Sequence, residues 1–244
     1  MALPSDPYPG RVPGSDPQLL DSFLLNAAGV APCGDEVSAP RVLSLSLETP
    51  APEGFSWTAL RGVIGSATTE ELAPAFRALS LANWRASSKF CGRCGSPQTD
   101  KPDETARLCP RCGSVTYPRL SPAVLALVRK EGRVLLARNV AFRSGVFSIL
   151  AGFVEPGESF EECVVREVRE EVGIRVGRVR YLGSQPWPFP DSLMVGFEAE
   201  WEAGDLRPDG VEIAEAGWYG PDDHPPLPLP GSLSRRLIDG AFGR

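Results

Sequence analysis

Histidine is nearly missing from this chain of 244 residues: the one His is His224, in the run His224-Pro225-Pro226. A site built on several histidines is excluded, and His224 reads as an ordinary surface residue. Long hydrophobic runs are missing as well. No apolar stretch reaches the roughly 18 residues that a membrane span needs. No basic, apolar, small-residue leader opens the chain, so secretion is not expected and a cytoplasmic location is. An excess of basic charge is also missing, since 25 Lys and Arg face 31 Asp and Glu, for a net charge of −6. That balance argues against a broadly basic nucleic-acid surface, though not against binding one RNA end. It suits a protein that recruits divalent cations.

What is present is a globular composition, 42% hydrophobic and 23% charged, with 25 Pro and 25 Gly to make loops. The length allows one large domain or two small ones, with a real core. Residues 1–17 are rich in Pro, Gly, Ser and Asp and are expected to be mobile. Arg41 to Leu47 alternates like a strand. Thr69 to Trp84 reads as a helix with a Thr cap, interrupted near Pro74. Residues 1–88 are expected to form a small α+β domain used for packing or dimer contact.

Six cysteines occur: Cys33, Cys91, Cys94, Cys109, Cys112 and Cys163. Without a secretion signal, a disulfide framework is the weaker reading. Cys91 and Cys94 form one CxxC pair, and Cys109 and Cys112 form another, with fourteen residues between the pairs. Two such knuckles place four thiolates for one tetrahedral Zn2+, a closed structural site rather than a catalytic one. Gly95 and Gly113 follow the second Cys of each pair, where tight turns aim backbone N–H groups at sulfur. The ribbon is assigned to residues 89–116. Cys163 reads as a small buried residue.

From residue 117 to 244 the pattern changes to strands and helices. Ala123 to Val128, Arg133 to Arg138, Gly145 to Val154, Val176 to Leu182, Ser192 to Trp201 and Ile213 to Tyr219 read as strands. Ser232 to Phe242 reads as a terminal helix with a Ser cap. With one central helix, these predict an α/β/α sandwich around a mixed sheet. The central helix lies in Gly152–Ile174, which holds seven Glu in 23 residues. Ser159 and Glu162 form a capping box. Phe160, Val164, Val168 and Val172 recur every four residues as a buried stripe, and Gly173 is placed to stop the helix. Glu167, Glu170 and Glu171 fall on one side of it. Clustered hard oxygen ligands beside a tight loop are what Mg2+ or Mn2+ requires; a solvated acidic helix is the plainer alternative.

Between two of the strands, Ser184 to Met194 reads as a loop in which three prolines limit the entropy lost on ligand binding. Trp187 and Phe189 offer flat apolar faces for a base or nicotinamide ring, and Gln185 and Ser192 offer hydrogen bonds. A rigid connector with buried aromatics is the alternative.

The Gly152–Ile174 string fits the pattern G-x5-E-x7-R-E-U-x-E-E-x-G-U (U apolar) at every fixed position: Gly152, Glu158, Arg166, Glu167, Val168, Glu170, Glu171, Gly173 and Ile174. It therefore resembles a Nudix hydrolase, a class that cleaves a diphosphate linked to another group. The segment SQPWPFPDS after that helix, the four-Cys ribbon and Tyr117-Pro118-Arg119-Leu120-Ser121-Pro122 resemble the NADH pyrophosphatase branch of that class. The resemblance spans residues 90–244.

The resemblance implies hydrolysis of NAD(H) to NMN(H) and AMP by metal-assisted attack of water on phosphorus, and allows removal of NAD caps from RNA 5′ ends. It assigns Glu167, Glu170 and Glu171 to divalent metal, with Glu171 the first choice for a base and Glu170 next. It adds the Ala151 carbonyl and a later carboxylate, Glu215, with Glu212 competing. It places Gln185, Pro186, Trp187, Pro188, Phe189, Pro190, Asp191 and Ser192 along the nucleotide pocket, with Phe153 stacking on the nicotinamide. Tyr117 would be donated by the second subunit of a homodimer, and Ser234 would touch substrate. Glu158 and Arg166 are expected to brace the loop on the helix. Two other readings stand beside this one: decapping of RNA as the main activity, and a zinc-ribbon adaptor that binds nucleotide without cleaving it.

Overall fold

A computed structural model describes residues 22–26, 29–30, 56–141 and 145–244. The expected mobile segment 1–17, the strand at Arg41 to Leu47, and Cys33 lie outside the described residues. The chain divides into two compact units. One holds residues 1–120 with Trp187–Asp191, and the other holds Ser121–Pro186 with Ser192–Arg244.

In the first unit, strands β1 (Ser22–Asn26), β2 (Gly29–Val30) and β3 (Ser56–Ala59) form an antiparallel sheet in the order β2-β1-β3. A short helix α1 (Leu60–Val63) leads to α2 (Thr69–Ser87). The cap of α2 is Thr68, whose side chain accepts the Glu71 N–H while the Glu71 carboxylate accepts the Thr68 N–H. The interruption expected near Pro74 does not occur, and α2 runs straight through it. Proline removes a single i→i−4 bond, here to the Glu70 carbonyl. Pro74 and Glu70 are both exposed, so water can take up the freed carbonyl. The opposite side of the helix is buried: Leu72, Ala75, Phe76 and Leu79 pack with Leu60, Val63 and Ile64. Strands β4 (Thr99–Asp100), β5 (Arg107–Leu108) and β6 (Val115–Thr116) make a small antiparallel sheet next in the chain, among the paired cysteines.

The second unit is built on a six-stranded mixed sheet. Its strands are β7 (Ser121–Lys130), β8 (Arg133–Asn139), β9 (Leu150–Phe153), β10 (Arg175–Trp187), β11 (Ser192–Ala203) and β12 (Ile213–Tyr219), in the order β10-β11-β7-β8-β12 with β9 paired to β7. The last residue of β10, Trp187, belongs to the first unit. The β7–β11 pair is parallel, while β7–β8, β7–β9 and β8–β12 are antiparallel. Helix α3 (Phe160–Val172) covers one face and α4 (Leu233–Ala241) the other. The strands show this two-sided burial residue by residue. Val124, Ala126 and Val128 of β7 join Val164, Val168 and Val172 of α3, whereas Leu125 and Leu127 join Leu233 and Ile238 of α4. Side chains alternate across a strand, so the nearly unbroken apolar run of β7 is what a doubly covered sheet requires. Full burial of each valine of the α3 stripe stabilises the sandwich by roughly 1.5–3 kcal/mol.

Two strand expectations need correction. The segment expected as a strand from Gly145 is strand only at Leu150–Phe153. Before that, Phe147 and Ile149 turn their side chains into the α4-side core, and Ser148 makes a lone bridge to Ala137. The Phe147 N–H bonds the Pro226 carbonyl at 2.8 Å, away from any ladder. The loop expected from Ser184 to Met194 is also shorter. Strand β10 extends through Trp187 and β11 begins at Ser192.

Candidate active site

The Arg166 side chain organises the loop before α3. Its Nε and Nη2 donate to the two carboxylate oxygens of Glu158, at 3.0 and 2.6 Å, and Nη2 also donates to the Phe153 carbonyl at 3.0 Å. Its Nη1 reaches Glu170 at 3.1 Å and Glu167 at 2.8 Å. The guanidinium holds the Glu158 carboxyl down at about 2. The expected bracing role of this pair is thus what the geometry shows: one cation ties the loop, β9 and two turns of α3 together. Ser159 caps α3 reciprocally with Glu162, and Gly173 ends it at φ 75°, where a side chain would be strained.

Glu167 and Glu171 turn inward from α3. Glu171 is 4% exposed and its Oε2 has no hydrogen-bond partner. Burial first, and then the charges of Glu167, Glu212, Asp209 and Glu170, push its carboxyl up to about 8. Burial likewise raises Glu167, against the pull of Arg166. A buried, unpartnered carboxylate among other carboxylates is unfavourable unless a cation joins it. That donor set fits a hard divalent ion. Among the described residues the carboxylates do not yet converge on one point: only the four cysteines bring three or more such ligand atoms within 4.8 Å of one another. Glu170 instead stays exposed on Arg166. Gly152 matters here for its missing side chain, because a Cβ there would lie 1.9 Å from Glu167 Cδ.

Glu215 and Glu212 differ in placement. Strand β12 has a bulge between Ile213 and Glu215. Beyond it Ala216 and Trp218 pack toward α3 and Tyr219 toward α4, so Glu215 shares the face of Tyr219. Glu215 pairs with Arg138 at 3.3 Å and is largely exposed. Of the two, Glu212 is the one whose charge helps to raise Glu167 and Glu171. It sits in a turn built by Asp209, whose Oδ1 accepts the N–H groups of Val211, Glu212 and Ile213 at 3.1, 3.1 and 2.8 Å. The same turn is tied to the end of α3 by Arg207 N–H to Val172 O and Asp209 N–H to Glu171 O. Sequence reasoning missed Asp209. The Asp209-Gly210 pair is a turn signal that could have found it.

The other expected residues are placed as follows. Ala151 is exposed on β9, and the Phe153 ring is 49% exposed beside it. Gln185 is buried and spends both ends of its amide on the start of α4, donating to Gly231 O at 2.9 Å and accepting from Leu233 N–H at 2.7 Å. It is therefore an anchor for α4, not an open hydrogen-bonding group as expected. Ser192 is buried at the head of β11, in register with Ser121. Ser234 shares a hydroxyl contact of 3.2 Å with the cap residue Ser232.

In the first unit, Trp187 and Phe189 meet edge to face at 5.2 Å and pack on the α1–α2 core. Phe189 also meets Phe76 edge-on at 6.3 Å, and Arg61 lies over its ring at 4.2 Å. These rings are therefore part of a packed core, and one face of Phe189 is covered. Pro188 is buried, Pro186 and Pro190 are exposed, and Asp191 is half-buried. Asn83 Nδ2 donates to the Pro188 and Pro190 carbonyls at 3.3 and 3.1 Å, fixing the segment. Tyr117 is exposed and its hydroxyl bonds Glu104 at 3.3 Å. His224 stacks on Phe242 and contacts Arg244.

The cysteine quartet has near-twofold regularity. Cys91 Sγ lies 3.6 Å from Cys112 Sγ, and Cys94 Sγ lies 3.5 Å from Cys109 Sγ. Tetrahedral Zn2+ with bonds of about 2.3 Å sets sulfurs roughly 3.8 Å apart, so the quartet fits it. Gly95 and Gly113 take φ of 72° and 71°, and the Arg93 N–H points at Cys91 Sγ at 3.4 Å. The backbone N–H and the hydroxyl of Ser96 hold Cys94 down at about 6. The Ser114 N–H lowers Cys112, but burial and the three neighbouring thiols outweigh it and push Cys112 up to about 11. Four crowded thiols ionise together only if a cation joins them. Cys163 is buried and raised to about 12, chiefly by burial, which leaves it an inert thiol.

A two-sided sandwich with a glutamate helix beside β9, and a four-cysteine ribbon earlier in the chain, define a scaffold with two candidate cation sites. Residues 118–238 match the NUDIX domain, and residues 86–117 match the NADH pyrophosphatase zinc ribbon domain. The NAD-capped RNA hydrolase NudC of Chromobacterium violaceum is 47% identical over 197 residues, covering 81% of this chain and 74% of that one. The protein of the same name from Pseudomonas aeruginosa (strain LESB58) is 45% identical over 199 residues, covering 81% and 72%. A NUDIX hydrolase structure from Nitrosomonas europaea is similar with a TM-score of 0.48 and 28% identity, over 54% of this chain and 77% of that one. This chain belongs to the Nudix hydrolases, in the branch that carries the NADH pyrophosphatase zinc ribbon.

Proposed function

We propose that the protein hydrolyses the diphosphate of NAD(H), giving NMN(H) and AMP, and removes NAD caps from RNA 5′ ends by the same chemistry. The observation that carries the reading is Glu171: a buried carboxylate with an unpartnered oxygen, beside Glu167, whose side chain fills the space next to Gly152 of β9. The relatives known as NAD-capped RNA hydrolases supply the substrate class.

In this reading Glu167, Glu170, Glu171 and the Ala151 carbonyl hold Mg2+ or Mn2+, with Glu215 or Glu212 adding a carboxylate. When bound, such an ion neutralises charge on the phosphate oxygens and lowers the pKa of a bound water. Glu171, raised as it is, serves as ligand or base, with Glu170 the alternative base. Arg166 holds the glutamates in register. The exposed ring of Phe153 takes the nicotinamide. Trp187, Phe189, the prolines between Pro186 and Pro190, Asp191 and Ser192 shape the nucleotide pocket, with Tyr117 and Ser234 as further contacts; Gln185 contributes by anchoring α4. Cys91, Cys94, Cys109 and Cys112 hold one structural Zn2+ per chain. The working division is a first domain at 1–88, a ribbon at 89–116 and a hydrolase domain at 117–244, acting as a cytoplasmic homodimer. Decapping as the main activity is the second reading, favoured by the name its relatives carry.

The test is turnover of NADH, NAD+ and NAD-capped RNA at matched concentration, with Mg2+ or Mn2+, by wild type and Glu171→Gln. Release of AMP from NADH by wild type and its loss in the variant support the reading. No AMP from any substrate would leave a non-cleaving nucleotide binder.

A further inference from the structure

The ribbon is charged differently from the rest of the chain. Residues 86–117 carry five cations (Lys89, Arg93, Lys101, Arg107, Arg111) and three acids (Asp100, Asp103, Glu104), a net +2 within a chain of net −6. All three acids are spent on the small sheet and its turn. Asp100 is held by Arg107 at 2.9 Å and Arg85 at 3.3 Å, and Lys101 holds Asp103 and Glu104. The cations at the cysteine end keep no such partner. Lys89, Arg93 and Arg111 are exposed, as is Arg119 just beyond, and none has an ion-pair partner among the described residues.

The placement of two of these cations follows the metal site's own symmetry. Arg93 and Arg111 each occupy the third position of a CxxC knuckle, and the two knuckles meet through sulfurs 3.5–3.6 Å apart. The knuckles are open to solvent: a Cβ added at Gly92, Gly95 or Gly113 would meet nothing within 4 Å. Beside them Phe90 holds its ring 64% exposed, while its backbone is fixed by Gln98 Nε2 to Phe90 O at 3.0 Å and a bridge to Pro97. Unneutralised cations on a rigid frame suit phosphates, and a fixed exposed ring suits an unpaired base.

We propose that the knuckle end of the ribbon is a binding surface for single-stranded RNA, with Arg93 and Arg111 on successive phosphates and Phe90 stacking on a base. The surface would hold the body of a capped transcript, and this role rests on the reading that NAD-capped RNA is a substrate. It gives the ribbon a task beyond holding its own fold.

The test uses the full chain and an uncapped single-stranded RNA of about 12 nucleotides, followed by fluorescence anisotropy across a salt series. Arg93→Ala with Arg111→Ala is expected to weaken binding roughly tenfold and to flatten the slope of log K against log salt by about 1.4, two contacts at about 0.7 each. Arg93→Lys with Arg111→Lys restores the slope, and Phe90→Ala weakens binding roughly tenfold without changing it. Zinc content and free NADH turnover stay at the wild-type level, while KM for NAD-capped RNA rises. Unchanged RNA affinity and slope in the double Ala variant overturn the proposal. So does a wild-type preference for duplex DNA that the same variant abolishes. Failure of wild type to cleave NADH or NAD-capped RNA would overturn the proposed function instead, and the anisotropy would still decide whether the ribbon binds RNA.

Discussion

Replacing Gly152 by Ala tests the loop–helix geometry with a single methyl group. The added Cβ would stand 1.9 Å from Glu167 Cδ and 2.0 Å from its Oε1, where ordinary contact begins at 3.4 Å. The carboxylate must therefore retreat by about 1.5 Å. It is the end of a flexible side chain, so the fold can absorb the change. The cost is chiefly its 2.8 Å contact with Arg166, about 1–2 kcal/mol, because the charged partner keeps Glu158 and Glu170. For a chain of this size that lowers Tm by about 2–8 °C. Activity should suffer far more, since displacing a reactive or ligand group by about 1 Å costs on the order of a hundredfold. NADH turnover across a Mn2+ titration, with a thermal melt of the same sample, reads both effects. Gly240→Ala is the control. It lies in α4 with open space around its Cβ, and is expected to be neutral or stabilising by up to about 1 kcal/mol. A Gly152→Ala enzyme that melts within this range and turns over within threefold of wild type would refute the assignment of Glu167.

Other outcomes follow from the same geometry. Glu171 titrates at about 8 when folded, above its ordinary value of 4.5, so the folded state binds more protons than the unfolded state between those two values. Metal-free stability should therefore fall as pH rises from about 4.5 to 8, and Glu171→Gln should flatten that part of a Tm–pH curve while abolishing turnover. Arg166→Ala should lower Tm and turnover together, because Glu158, Glu167 and Glu170 lose their shared cation; added NaCl should restore little, since much of the network is screened from solvent. Gln185→Ala should cost about 2–3 kcal/mol by stripping two partners from the start of α4, with a lower Tm and nearly unchanged KM for NADH. Metal analysis should find one zinc per chain, and Cys109→Ser, at a fully buried ligand position, should lose it and loosen the ribbon to proteolysis.

Much of the second unit could be read from the sequence because its local signals agree with its packing. The α3 helix announces itself through Ser159, the valine stripe and Gly173, and the structure realises each of them. The continuous apolar run of β7 likewise anticipates a sheet covered on both faces. The ribbon was legible because two CxxC pairs at close spacing have few other uses. What was not legible depends on tertiary context. Pro74 is tolerated in α2 at a position where Glu70, whose carbonyl loses its partner, lies on the exposed side of the helix. Gln185 looks like a ligand group until its partners at and just before the start of α4, 46 and 48 residues away, are known. Trp187 and Phe189 read either as open faces or as buried aromatics until their packing on helices some 100 residues earlier in sequence is known. Glu212 is carried by the turn that Asp209 folds and ties to the end of α3, and the bulge in β12 turns Glu215 to the other face. No periodicity in the sequence reports a bulge.

If the Glu171 cluster binds a divalent cation and cleaves the diphosphate of NAD(H), turnover must depend on both the metal and Glu171. The most direct measurement is product analysis of NADH incubated with the purified protein, with Mn2+ or Mg2+ and with excess EDTA. NMNH and AMP are expected in equal amounts, formed only with the metal and not by Glu171→Gln. Intact NADH in the presence of either metal, or equal cleavage by Glu171→Gln, would contradict the assignment.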